Sequence, residues 1–240
     1  MKQKKAKPID YCADPPKTLK NEPFFGMDLD EDQIAFRDAI WNPEKNIVFC
    51  DAKAGTGKTT IAIGLAVMLV QYGLYNGISY VVSPTQEQIQ GYLPGDQASK
   101  SSPYMEPLYE ALATVGVNPN TAICSSDNMD YQKSGDAYIE CMTHTYLRGT
   151  NFEKRVVILD ESQNFYREEL KKVLTRIHDD CKVIVIGHTG QIDLYKHPEH
   201  SGFERYIRHF DGDERVAVCR LTKNHRGWIS QHADELEFED

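Results

Sequence analysis

Short runs of consecutive apolar residues alternate along the chain with longer stretches in which apolar positions recur at helical spacing. Short apolar runs are typical of strands that are buried on both faces of a sheet. The pattern predicts strands at residues 47–50, 79–82, 137–142, 156–159, 183–186 and 216–219. It predicts helices at residues 28–41, 58–72, 103–115, 166–177 and 228–236.

This alternation predicts an α/β fold, a mostly parallel sheet with helices on both faces, formed by a single domain. We expect the domain to span residues 23–232. A polar, Lys-rich extension at residues 1–22 is expected to be mobile or loosely packed, and residues 233–240 form an acidic tail. Parallel sheets bind ligands at the carboxyl ends of their strands, so the residues that follow each strand are the candidates for a site.

A phosphate-binding loop follows the first predicted strand. Gly55 and Gly57 allow backbone conformations that bring N–H groups around a phosphate, Lys58 can reach the β- and γ-phosphates, and Thr59 offers a hydroxyl to Mg²⁺. The positive end of the following helix dipole favours the same anion. The residues predicted to hold the nucleotide here are Ala54, Gly55, Thr56, Gly57, Lys58, Thr59 and Thr60. The alternative is an accidental Gly-rich turn.

Two acidic residues follow the strand at 156–159, about a hundred residues after the loop. Asp160 is predicted to hold Mg²⁺ together with Thr59, and Glu161 to polarise an attacking water. Taken alone, an Asp-Glu pair after a strand is equally consistent with a helix N-cap. An adjacent carboxylate base favours attack by water over transfer of the phosphoryl group to a small molecule.

Three further polar residues lie at positions suited to the same site. Gln191 follows the strand at 183–186, where it can contact a γ-phosphate or the water. Arg226 is a candidate arginine finger, acting within its own chain or in a neighbouring subunit, or else a surface residue at a helix start. Gln33 can donate to and accept from an adenine edge, although a helix glutamine is more often exposed to solvent.

Composition bears on which partners the protein can contact and on its cellular compartment. The net charge of −9 means that contact with nucleic acid needs a local basic patch, and stacking needs exposed aromatic rings. The six cysteines lack zinc-site spacing, which favours buried free thiols in a reducing cytoplasm, and we find neither a membrane-span pattern nor a secretory signal. The candidates for nucleic-acid contact are Lys100, Arg148, Lys154, Arg155, Arg167, Lys171, Lys172, Tyr92, Tyr104 and Tyr146. Solvated charges and core aromatic rings are the alternative for each of them.

Together these motifs resemble the PhoH family of P-loop ATPases, which is similar to the first RecA-type domain of superfamily-one helicases. The matching stretches are AGTGKT (54–59), GYLPGD (91–96), PYMEPLYEAL (103–112), YLRG (146–149), ILDESQN (158–164), LTRI (174–177) and TGQID (189–193). The resemblance implies a RecA-like fold, ATP and Mg²⁺ as cofactors, and a ring-like homo-oligomer, a hexamer. It also implies RNA or single-stranded DNA as a partner, a link to phosphate starvation, and an adenine-reading role for Gln33.

The sequence departs from the family pattern at several positions. Ala52 stands where the loop motif has its first Gly, Ser83 where the family has Arg, and His188 where it has an acidic residue. The order of residues around Arg226 also differs. His188 places an imidazole near the γ-phosphate, which bears on the rate and pH dependence of hydrolysis. It motivates an alternative function, an ATP-binding regulatory or assembly protein with little turnover; a small-molecule kinase is a third.

Overall fold

The computed structural model describes residues 11–20, 22–83, 105–147, 149–194 and 198–234. The strands are β1 (Ile47–Ala52), β2 (Ile78–Val82), β3 (Ile139–Thr143), β4 (Val156–Asp160), β5 (Lys182–Gly187) and β6 (Val216–Leu221). They form one six-stranded sheet in the order β3-β2-β4-β5-β1-β6, and every neighbouring pair is parallel. The predicted α/β sheet is therefore confirmed, with parallel pairing throughout its described strands.

Burial along the strands explains their sequence patterns. The inner strands β2, β4 and β5 are buried at every position, which accounts for their continuous apolar runs. The edge strands β3 and β6 are buried only at their two ends. Polar residues such as Glu140 and Arg220 are therefore tolerated in the edge strands.

Helices cover both faces of the sheet, as predicted. They are α1 (Glu31–Trp41), α2 (Lys58–Gln71), α3 (Glu106–Thr114), α4 (Pro119–Ala122), α5 (Met129–Ser134), α6 (Arg167–Leu174), α7 (Phe203–Phe210) and α8 (Trp228–Asp234). One core cluster includes Phe36, Leu65 and Leu108 from α1, α2 and α3. The other includes Leu170 and Phe203 from α6 and α7. In the described part of the chain, no helix combines the length and the apolar character needed to cross a membrane.

The structure corrects several predicted boundaries. Helix α6 is shorter than the predicted 166–177, and β3 begins two residues after the predicted position 137. Helices α4, α5 and α7 were not predicted. Helices α4 and α5 are short, and α5 buries no residue that would produce an apolar period, whereas α7 does carry an apolar face that packs in the core. The predicted helix at 103–115 begins outside the described residues, and the described part contains α3.

Part of the N-terminal extension packs against the domain. The indole Nε1 of Trp41 donates to the carbonyl of Pro16 at 2.9 Å, and the Arg37 guanidinium donates to the carbonyl of Lys20 at 3.1 Å. Tyr11 meets Tyr72 edge to face, with ring centroids 5.0 Å apart. Tyr11 and the carbonyls of Pro16 and Lys20 therefore contact the domain, whereas residues 12–18 are exposed. The loose packing expected of the extension stays a prediction.

No disulfide bond joins the cysteines in the described part of the chain. Cys50 and Cys181 are buried, whereas Cys141 and Cys219, which were also expected to be buried, are half-buried. Both of these half-buried thiols lie on edge strands, where only one neighbouring strand covers the backbone.

Candidate nucleotide site

The loop between β1 and α2 has the backbone of a phosphate cradle. Gly55 and Gly57 have φ values of 73° and 80°, a region that favours glycine. Gly57 caps α2 without a side-chain hydrogen bond, so no side chain of the cap occupies the first amides of this helix. These amides are available to an anion at the start of the helix. Ala52 is the last residue of β1 and is buried in the core. The missing glycine therefore falls in the strand, where a methyl group is accommodated.

Asp160 and Thr59 lie together at the end of β4, as the sequence predicted. The Thr59 hydroxyl donates to Asp160 Oδ2 at 3.1 Å, and the Tyr80 hydroxyl donates to the same oxygen at 2.6 Å. The carboxyl group of Asp160 is fully buried. Burial raises its pKa, the neighbouring Glu161 carboxylate raises it further, and Lys58 opposes both. A bound cation would therefore favour the ionised form.

This pair of oxygen donors fits Mg²⁺, which binds few protein ligands and keeps phosphate and water oxygens. Among the described residues, no three or more His, Cys, Asp or Glu side chains are grouped as a metal site. Tyr80 was not singled out in the sequence. The sequence did offer a signal for this residue, because a hydroxyl in a fully buried strand needs a hydrogen-bond partner.

Glu161 lies beside Lys58, a contact that was not predicted from the sequence. Lys58 Nζ is 3.4 Å from Glu161 Oε1, so the two side chains form an ion pair in this structure. Glu161 has φ 49° and ψ 45°, a left-handed conformation that is uncommon for a residue with a side chain. Such conformations concentrate at functional sites, where surrounding contacts hold them in place.

Two side chains that sequence reasoning missed hold the residues after β5. Gln163 donates from Nε2 to Glu161 Oε2 at 2.7 Å and accepts at Oε1 from the backbone N–H of His188 at 3.0 Å. Asp51 accepts from the backbone N–H of Thr189 at 3.0 Å and from its hydroxyl at 2.8 Å. We call residues 188–191 the β5 loop. Both contacts depend on strand order, which no local motif reveals.

The predicted residues of the β5 loop have different environments. Gln191 is exposed, and its backbone N–H donates to the carbonyl of His188 at 3.2 Å. His188 is half-buried, and its Nδ1 is buried without a hydrogen-bond partner in the described part of the chain. Neither His188 nor Gln191 is among the residues that line the cavity. The backbone of His188, however, is bonded to Gln163, which contacts Glu161.

A cavity of about 350 Å³ extends from the phosphate loop. Residues from four separate parts of the sequence line it. They include Met27, Leu29 and Gln33 near α1, Lys58, Thr59 and Thr60 at the start of α2, Pro107, Ala111 and Thr114 of α3, and His225 and Arg226. We call the end at α2 the phosphate end. We call the end between α1 and α3 the base end, after the nucleobase of a nucleotide whose phosphates lie at α2.

Gln33 is buried at the base end, and both ends of its amide are bonded. Its Nε2 donates to the Thr56 carbonyl at 2.8 Å, and its Oε1 accepts from the backbone N–H of Asp30 at 3.0 Å. The Asp30 carboxylate completes a capping box by accepting from the Gln33 backbone N–H at 2.9 Å. In this structure Gln33 therefore supports the phosphate loop, and its reading of an adenine edge stays a prediction.

Arg226 lines the cavity of its own chain. The segment before it is attached to the phosphate loop, because the His225 backbone N–H donates to the Gly55 carbonyl at 2.8 Å. The His225 ring nitrogen Nε2 lies 2.8 Å from Asp30 Oδ2. A Cβ on Gly55 would lie 3.0 Å from Arg226 Cγ and 2.9 Å from Asn224 Oδ1. His225 and Asn224, which the sequence did not mark, thus place Arg226 against the loop.

The candidates for nucleic-acid contact are only partly described. Arg155 donates to Glu140 and to the Ile78 carbonyl, both at 3.0 Å, which ties it to the sheet edge. The GYLPGD stretch at 91–96 and the candidates Tyr92, Lys100, Tyr104 and Arg148 lie outside the described residues. The structure therefore does not define a basic surface from this group.

Comparisons with known proteins identify the family of this chain. The family model described as PhoH-like protein matches residues 28–231. Protein PhoH of Escherichia coli K12 is 32% identical over 195 residues, which cover 80% of this chain and 52% of that protein. Protein PhoH2 of Bacillus subtilis is 30% identical over 188 residues, covering 77% and 41%. The chain thus spans about half the length of the curated relatives it matches.

A solved structure adds support for the fold alone. The large terminase of bacteriophage HK97 superposes with a TM-score of 0.51 at 14% identity, over 86% of this chain and 42% of that chain. The family match covers the phosphate loop, the Asp160–Glu161 pair and the segment around Arg226. On this evidence the chain belongs to the PhoH family.

Proposed function

We propose that this chain binds ATP with Mg²⁺ and hydrolyses it to ADP and phosphate. The observation that carries the proposal is the meeting of four side chains from two distant segments. Thr59 lies 3.1 Å from Asp160, and Lys58 lies 3.4 Å from Glu161, across about a hundred residues of sequence. Phosphoryl transfer to water needs an anion cradle, a cation site and a base, and these residues supply all three.

Each side chain has a distinct role in the proposed reaction. Lys58 and the amides at the start of α2 bind and orient the phosphates. Thr59 and Asp160 would hold Mg²⁺, which neutralises phosphate charge when bound. Glu161 orients the attacking water and accepts its proton, and it is free to do so once Lys58 turns from the carboxylate to a phosphate. Arg226 lines the same cavity and would stabilise charge on the phosphates.

We further propose that hydrolysis is coupled to remodelling of RNA or single-stranded nucleic acid in the cytoplasm, by a ring-like, hexameric homo-oligomer. Family membership supports this part, together with the resemblance of the motifs to helicase domains. The net charge of −9 requires the nucleic acid to be held by a local surface. A link to phosphate starvation follows from the same resemblance.

The alternative function is ATP binding with little turnover, as in a regulatory or assembly protein. His188 is the observation that favours it, because an imidazole with a buried, unbonded Nδ1 lies where the family pattern has an acidic residue. A small-molecule kinase is disfavoured by Glu161, which occupies the position of a base for water.

Steady-state phosphate release from Mg-ATP, combined with the affinity for a fluorescent ATP analogue, separates these functions. Glu161→Gln should lower turnover by about 100-fold or more while leaving nucleotide affinity within about threefold. Glu153→Gln is the matched control, because Glu153 is exposed and pairs with His178 away from the site. If the wild-type protein binds the ATP analogue but shows no turnover, the alternative function is favoured. If it shows neither binding nor turnover, nucleotide binding is refuted.

Stimulation of turnover by a polynucleotide tests the coupling. Phosphate release should rise several-fold with poly(U) or poly(dT), and the effect should weaken as salt is increased, because phosphate contacts release counterions. An unchanged rate with both polymers, at low salt and with an active enzyme, would remove nucleic-acid coupling from the proposal.

A further inference from the structure

Gln163 is almost fully buried, and both ends of its amide are bonded to the site. The oxygen accepts from the backbone N–H of His188 at 3.0 Å, so the NH₂ group must face the other way. There it donates to Glu161 Oε2 at 2.7 Å. The backbone of the β5 loop thereby determines which group Gln163 offers to the proposed base.

Close packing prevents this amide from turning elsewhere. A Cβ at Gly187 would lie 2.7 Å from Gln163 Oε1, so only glycine at the end of β5 allows the side chain to lie there. The Ser201 hydroxyl also donates to the backbone carbonyl of Gln163 at 2.7 Å. Gln163 is therefore held from its backbone as well as from its amide.

The β5 loop is itself held on its other side. Asp51 lies in β1, just before the phosphate loop. Its carboxylate accepts hydrogen bonds from both the backbone N–H and the hydroxyl of Thr189. Asp51 pairs in register with Gly187, so the carboxylate extends from one strand to the loop of the next. A continuous path of contacts thus runs from Asp51 through the β5 loop and Gln163 to Glu161.

We propose that Gln163 is a positioning residue that sets the Glu161 carboxylate according to the position of the β5 loop. This inference rests on the proposed function, because it gives Glu161 the role of base. With the loop in place, the amide holds one carboxylate oxygen while the other faces Lys58. A shift of the loop on phosphate binding or release would move the base at the same time.

Two substitutions of Gln163 test the oxygen and the NH₂ group of its amide separately. Gln163→Glu keeps an oxygen that accepts from His188 but replaces the donor to Glu161 with a second carboxylate oxygen. Gln163→Met has a similar volume and loses both bonds. We expect both variants to lower kcat for ATP by at least about 10-fold, with KM within about threefold, because orientation of the base is lost while nucleotide contacts remain. Gln132→Glu on α5 is the matched control.

Hydrogen exchange of the His188 amide gives a measurement that needs no turnover. Protection should be lost in Gln163→Met and retained in Gln163→Glu, because only the latter keeps an acceptor. Unchanged protection in Gln163→Met would overturn the proposed contact even if the wild-type protein hydrolyses no ATP. Wild-type kcat in Gln163→Glu, in a protein that does hydrolyse ATP, would overturn the positioning role and leave the proposed function standing.

Discussion

The phosphate end of the cavity lies at the start of α2, next to the end of an inner strand, whereas the base end is formed by loops and helices. Lys58 and Thr59 begin α2 at the phosphate end, and they contact Glu161 and Asp160 at the end of β4. At the base end, residues of α1, α3 and the segment after β6 meet across the cavity. Rigid inner strands hold reacting groups closely, while the base end depends on contacts between separate segments.

The two ends are connected, because base-end residues support the phosphate loop. Gln33 and His225 bind the carbonyls of two successive loop residues, Thr56 and Gly55, and Asp30 joins them by contacting both. We therefore expect changes at the phosphate end to lower turnover strongly and changes at the base end to act mainly on nucleotide affinity. Four substitutions test this difference, from the largest expected effect to the smallest.

Lys58→Ala should have the largest effect. It removes the charge that binds the phosphates, so turnover should fall by at least about 100-fold in a phosphate-release assay. Lys133→Ala is the control, because Lys133 is exposed on α5, where it forms a 3.8 Å ion pair with the exposed Asp130. Turnover that survives in Lys58→Ala would contradict the assignment of the phosphate end.

Gly187→Ala should destabilise the phosphate end by crowding Gln163. A Cβ would lie 2.7 Å from Gln163 Oε1 and 3.0 Å from a ring carbon of Phe203, so we expect a loss of about 1–3 kcal/mol in the free energy of unfolding, measured with urea. The double variant Gln163→Ala with Gly187→Ala should regain part of this loss, because the crowded atoms are gone. Strictly additive losses would show that the two positions do not interact.

Lys182→Met should change stability at the opposite end of β5 and leave both ends of the cavity intact. Lys182 is buried and donates to the Asn42 and Lys45 carbonyls. Burial lowers its pKa from 10.5 to about 8. Between these two values the unfolded chain keeps a proton that the folded chain has lost, so wild-type stability should rise with pH in this window.

The variant should lack that rise, by on the order of 1–2 kcal/mol, in urea unfolding at pH 7, 8.5 and 10. Below about pH 8 both states carry the proton, so the difference between the two proteins should stay constant there. Parallel curves across the whole range would argue that Lys182 titrates normally. A change in ATP affinity at pH 7 would contradict the separation of this region from the site.

His225→Ala should have the smallest effect. It removes the ring contact to Asp30 while keeping the backbone bond to Gly55. We expect a loss of about 1 kcal/mol in nucleotide binding, a roughly fivefold rise in KM, with kcat within about twofold. His178→Ala is the control, since His178 is half exposed near Glu153. A fall in kcat that exceeds the rise in KM would show that the base end also orients the reacting groups.

The sequence by itself determined the strands, most of the helices and the groups at the phosphate end. These features follow from local patterns, because buried parallel strands require apolar runs and a phosphate cradle requires Gly55, Gly57 and Lys58 at short spacing. Asp160 and Glu161 were also predicted, since both follow an apolar strand. Local patterns failed where an element was short and polar, as in α5. Helix α7 was also missed, although its apolar residues recur at helical spacing.

Tertiary structure alone decided which side chains support those groups. Tyr80 meets Asp160, Asp51 meets Thr189, and His225 meets Asp30 across 80, 138 and 195 residues. Gln163 lies only two residues from Glu161, yet its orientation depends on His188 in the next strand's loop. Such hydrogen bonds depend on the strand order β3-β2-β4-β5-β1-β6, and a pattern along the chain carries no information about which strands become neighbours.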